Sequence, residues 1–128
     1  MRILLVACSI FAFAATTAYA DGPPNAFKET YPQRALQAAW AEYQAVFGPG
    51  GEIPPKMKQL IALGVAANIP CDYCVLVHGM KARKAGATEA EIKEALAAAA
   101  LVRKWSTVLN GYAYDMEKLK AELGIPSN

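Results

Sequence analysis

The chain has 128 residues, with 13 basic and 11 acidic side chains, one histidine and three cysteines. So small a positive excess, with no basic cluster, excludes a dedicated nucleic-acid surface. A chain of this length makes one domain and buries roughly 60% or a little more of its unfolded surface.

Residues 1–20 read MRILLVACSIFAFAATTAYA, with Arg2, an apolar run from Ile3 to Ala15, and small residues at Ala18-Tyr19-Ala20 where a signal peptidase cuts. This pattern predicts a secretory signal removed before Asp21, and hence export across the inner membrane to the periplasm. The apolar run is shorter than the roughly 20 residues that span a bilayer, so no membrane span is expected after cleavage. Cys8 follows Leu5-Val6-Ala7, too close to the start of the apolar run for lipoprotein processing. Removing the leader takes away Arg2 and Cys8 and leaves a nearly neutral chain whose thiols are Cys71 and Cys74. In an oxidising compartment a close pair rests as a disulfide unless a reductant serves it.

Residues 21–32 carry Pro23, Pro24 and Pro32 with no apolar period and read as a flexible arm. The expected domain covers residues 33–124. Its first helix starts near Gln33, where Leu36, Ala39, Trp40, Tyr43, Val46 and Phe47 recur at helical steps, and Gly48-Pro49-Gly50-Gly51 ends it. That loop lacks the Gly-Lys-Ser/Thr element of a phosphate cradle and reads as a connector. Pro54-Pro55 opens a second helix, apolar nearly all round through Met57, Leu60, Ile61, Leu63, Gly64, Val65 and Ala67, and therefore central. Gln59 is polar on that element; taken alone, a glutamine belongs near the surface.

A third helix runs from about Cys71 to Lys84 and stops at Gly86, with Lys81, Arg83 and Lys84 at its negative dipole end. Thr88-Glu89-Ala90-Glu91 reads as a capping box that starts a fourth helix with the stripe Ile92, Ala95, Leu96, Ala99, Val102, Trp105 and Leu109. The small residues Ala97 to Ala100 permit close helix approach. Asn110-Gly111 is expected to break the pattern before a fifth helix with core-facing Tyr112, Met116, Leu119 and Leu123, ended by Gly124 and Pro126. With no strand run and no repeat, the fold class is all-α, a single-domain bundle of about five helices. Trp40 and Trp105 read as core.

The stretch Cys71-Asp72-Tyr73-Cys74-Val75-Leu76-Val77-His78 carries the chemistry. On a helix, positions 71, 74 and 78 fall within roughly 60° of one another, so two sulfurs and an imidazole share one face. His78 lies at i,i+4 from Cys74, where its ring can take the thiol's proton. A free cysteine has a pKa of about 8.5, which falls to roughly 3.5–7.5 beside an imidazole or a helix N-terminus. Pro70 suits a first helical position and places Cys71 near the positive end of the helix dipole. Tyr73 is placed to hydrogen-bond a substrate, although an aromatic there more often packs.

These residues bear a family resemblance. Lys58-Gln59-Leu60-Ile61-Ala62-Leu63, Cys71-Asp72-Tyr73-Cys74, His78, and Gly86-Ala87-Thr88 with Glu91-Ile92 resemble the alkylhydroperoxidase AhpD branch of the carboxymuconolactone decarboxylase-like family, over roughly residues 52–111. The resemblance implies an AhpD-like helical fold and a homo-oligomer, trimeric or built from trimers. It implies that Cys74 attacks a hydroperoxide, that Cys71 resolves it as a Cys71–Cys74 disulfide, and that His78 relays protons with a glutamate on the preceding helix. The glutamate position is Gln59 here, opposite the cysteine helix. A glutamine orients an imidazole but cannot ionise, so the expected peroxidase activity is weakened. The partners implied are a hydroperoxide substrate and an unknown thiol reductant; no cofactor is called for.

Rival readings remain. A thiol-disulfide oxidoreductase without strong peroxidase activity keeps the couple and drops the peroxide. An oligomeric scaffold with an inert pair drops both. A structural staple gains little from so short a loop and leaves His78 unexplained. A zinc site has three ligands in view and lacks a fourth, and covalent haem needs histidine where Val75 stands.

Overall fold

The computed structural model describes residues 22–126, so the leader read over residues 1–20 lies outside the described residues. Among the described residues there are six helices and no strand: α1 (Asn25–Thr30), α2 (Gln33–Phe47), α3 (Pro55–Asn68), α4 (Asp72–Lys84), α5 (Glu89–Tyr112) and α6 (Met116–Glu122). The all-α class is as expected from the sequence. The helix beyond the expected five is α1, six residues inside the stretch read as an arm. It ends at Tyr31, which is extended (φ −109°, ψ 143°) because the following Pro32 disfavours helical backbone before it.

The chain divides after Gln44 into two compact units. In the first, the aromatic residues that the helical spacing brings together form one cluster. The Trp40 and Tyr43 rings stack at 5.1 Å, and Phe27 meets both edge-on at 6.0 and 6.2 Å. Leu36 and Trp40 are buried.

The second unit is built around α3, which packs against both α4 and α5. Leu60 and Leu63 of α3, Ala82 of α4 and Ile92 of α5 form its core, with Ala87, Ala95 and Leu96 packed against them. The small residues set the spacing. A Cβ on Gly64 would lie 3.3 Å from the Ala99 methyl, and the Asn68 amide donates to the carbonyls of Gly64 (3.1 Å) and Ala99 (3.3 Å), tying α3 to α5. Lys56 pairs with Glu91 at 2.6 Å and links the first turns of the same two helices.

Between α4 and α5 the chain turns at Gly86, whose φ of +86° is the left-handed value a helix C-terminus asks of glycine. Thr88 Oγ1 accepts from the Glu91 amide at 3.1 Å and Glu91 Oε2 accepts from the Thr88 amide at 2.8 Å, the capping box read from the sequence. Thr88→Ala is expected to destabilise the protein by about 1 kcal/mol. The measurement is a urea transition, whose midpoint falls while its slope stays the same; an unmoved midpoint would deny the cap its role.

Several sequence expectations are corrected. Asn110-Gly111 does not end a helix: α5 runs through them to Tyr112, with the Asn110 side chain donating to the Ser106 carbonyl at 2.8 Å. The break falls at Ala113, whose φ is +54°, and Asp115 caps α6 by accepting from the Lys118 amide at 2.7 Å. Trp105, read as core, is 50% exposed, and Val102, Leu109, Tyr112, Met116 and Leu123 are exposed too. The reason is local: α5 buries its apolar stripe only near its start, where α3 and α4 cover it. The outer face of α3 is also open, with Met57, Ile61 and Val65 exposed.

Candidate active site

The site stands where α3 and α4 face each other. Asp72 begins α4, and the residue before it, Cys71, is the N-cap: its Sγ accepts from the backbone amide of Cys74 at 3.3 Å. Pro70 is therefore outside the helix, one residue before the cap, rather than at a first helical position. A sulfur at an N-cap sits beside unpartnered amides and the positive end of the dipole, so its thiolate is favoured. Cys71 and Cys74 are joined as a disulfide, with Cα atoms 5.2 Å apart.

One turn on, the His78 ring is held from two sides. Its Nδ1 lies 2.8 Å from Gln59 Oε1, and the Phe47 ring packs against it with centroids 5.2 Å apart. Gln59 is only 2% exposed. The core position of α3 thus overrides the surface preference of glutamine and turns its amide toward α4. Because a carbonyl oxygen accepts only, Nδ1 carries the proton and Nε2 presents a lone pair, the tautomer a base needs. Burial, and secondly the positive charge of Lys81, hold the His78 pKa below its ordinary value, which keeps the ring neutral near pH 7.

Cys74 and His78 both line a cavity of about 430 Å³ whose walls are mostly apolar, among them Phe47, Ile61, Val65 and Ile69, with Lys58 at the same opening. That volume falls in the roughly 300–1,000 Å³ range of small-molecule sites. The structure thus brings together the four residues singled out in the sequence: Cys71 with Cys74 covalently, and Gln59 with His78 through a hydrogen bond. Tyr73 does not pack, being 85% exposed. Among the described residues no group of three or more His, Cys, Asp or Glu side chains is arranged to hold a metal ion. The sequence reading missed Phe47, assigned to a helix stripe, and Lys58. Phe47 has no motif to announce it, and Lys58 stood in the motif that carries the resemblance without a role of its own; the i,i+3 spacing of Lys81 from His78 was there to be read.

A helical chain with a disulfide sulfur and an imidazole at one apolar cavity, the imidazole held from behind by a buried amide, has the makings of a thiol protein. The chain matches the family model "Carboxymuconolactone decarboxylase family" over residues 34–115 and belongs to that family. It is similar to an uncharacterised protein of Paracoccus denitrificans encoded in the cox locus, 42% identical over 69 residues, covering 54% of this chain and 62% of the relative. An uncharacterised protein of Cupriavidus necator is 36% identical over 67 residues, covering 50% and 59%. The chain thus spans about three fifths of the length of these curated relatives. Among solved structures, the alkylhydroperoxidase AhpD core from Rhodospirillum rubrum superposes with a TM-score of 0.63 at 24% identity, over 67% of this chain and 63% of that one, and shares the fold.

Proposed function

We propose that the protein is a thiol-dependent peroxidase. The observation that carries this reading is that Cys74 and His78 line one apolar cavity while a buried Gln59 fixes the imidazole with Nε2 free. In the reduced form, His78 Nε2 takes the Cys74 proton, and the thiolate attacks the outer oxygen of a hydroperoxide. The O–O bond breaks, the leaving alkoxide takes the proton from His78, and Cys74 becomes a sulfenic acid. The Cys71 sulfur then attacks Cys74, water leaves, and the disulfide forms. An external dithiol returns the two electrons and two protons. Export to the periplasm, a homo-oligomeric assembly built on trimers and a thioredoxin-like donor belong to the same proposal.

A second reading, thiol-disulfide exchange on other thiols, is favoured by one observation: the imidazole's partner is an amide that cannot ionise. One experiment separates the two. Reduced protein mixed with cumene hydroperoxide is expected to consume one equivalent without added thiol and to turn over continuously with dithiothreitol. Gln59→Glu is expected to raise that rate. No consumption by either protein, alongside rapid exchange with a small disulfide, would replace the peroxidase reading by the exchange one.

A further inference from the structure

The cavity beside the disulfide has apolar walls and one unneutralised ammonium. Lys58, in the first turn of α3, donates to the carbonyls of Gly50 at 2.9 Å and Gly48 at 3.3 Å. An ammonium has three N–H donors, so one donor and the whole charge stay uncommitted. No carboxylate pairs with Lys58 among the described residues, and the cavity walls contain no aspartate or glutamate. The loop is shaped for this contact. Gly50 and Gly51 take left-handed backbone (φ +95° and +81°), which glycine adopts without strain, and this turn brings the loop carbonyls to the Lys58 ammonium. A cation beside an apolar wall with no counter-ion of its own favours a ligand that brings one.

We infer that the cavity takes an amphipathic acid, an acyl chain ending in a carboxylate. The chain lies along Val46, Ile53, Ile61, Val65 and Ile69, and the carboxylate meets Lys58. That the bound acid carries a hydroperoxide for Cys74 rests on the function proposed above; the binding itself does not. Without such a ligand, Lys58 would be only a clamp on the glycine loop.

The test is calorimetric titration of the oxidised full chain with dodecanoate, 1-dodecanol and dodecyltrimethylammonium. Dodecanoate is expected to bind about tenfold or more tightly than the alcohol and tighter still than the cation. Going from decanoate to dodecanoate gains about fourfold per methylene. Lys58→Gln removes the preference for the acid and Lys58→Arg keeps it. Equal wild-type affinity for acid and alcohol overturns the inference, as does a preference that survives in Lys58→Gln; the wild-type comparison stands even where a variant loses its loop. A parallel arm compares wild-type kcat/KM for linoleic acid hydroperoxide and its methyl ester. Equal values overturn the acid site and leave the peroxidase reading intact. Preferential dodecanoate binding with neither hydroperoxide consumed supports the acid site and removes the peroxidase reading.

Discussion

Cys74→Ser is expected to lose hydroperoxide turnover by on the order of 10⁴-fold or more, the scale on which a nucleophile's removal acts when its neighbours serve it as a unit. A serine hydroxyl in the same place is barely ionised near neutral pH, whereas in the proposed mechanism His78 takes a thiol's proton. Cys71→Ser should fail differently. It retains the attack and lacks the resolving sulfur, so the reduced variant consumes one equivalent of hydroperoxide and stops at a sulfenic acid. Rapid-mixing kinetics and dimedone trapping followed by mass spectrometry read both results. Full turnover in Cys74→Ser would remove the assigned nucleophile, and unhindered turnover in Cys71→Ser would remove the disulfide from the cycle.

His78→Ala is expected to lower kcat/KM by on the order of 10²–10³, within the range for a positioned acid–base group. The wild-type pH profile gives the sharper test. Because burial and Lys81 hold the imidazole's pKa below the ordinary value of about 6.5, the neutral, proton-accepting ring persists to lower pH. The acid limb of the profile should therefore lie below about 6.5 and vanish in His78→Ala. Stability follows the same sign. The folded chain takes up the His78 proton less readily than the unfolded one, so the contribution is fully present above the unfolded pKa and is lost as pH falls through the folded one. An acid limb at or above 6.5 in the wild type would detach it from this ring.

The helices were legible wherever local chemistry decides them. Thr88 with Glu91, Gly86 and the Gly48–Gly51 loop mark ends that backbone geometry enforces, and the structure puts them there. Asn110-Gly111 misled because neither residue must break a helix: Asn110 bonds back one turn instead, and the stop comes at Ala113, a residue with no intrinsic preference for its left-handed backbone. The sulfurs and the imidazole were legible from spacing alone, since Cys74 and His78 sit one turn apart on α4 and Cys71 is the cap directly before it. Gln59 was not. Its burial and its bond to His78 depend on how α3 meets α4, a relation between residues 19 positions apart that no periodicity encodes; the family resemblance supplied it. Trp105 shows the converse: a correct apolar stripe predicts a face, and only tertiary structure says how far along the helix that face is covered.

The cap made by Cys71 also ranks the two sulfurs as leaving groups. Its Sγ already receives the Cys74 amide, so when a donor's thiolate opens the bond, the charge that departs is better tolerated on Cys71 than on its neighbour. In the proposed cycle an incoming reductant would then meet Cys74, the sulfur that lines the cavity, rather than the one at the helix tip.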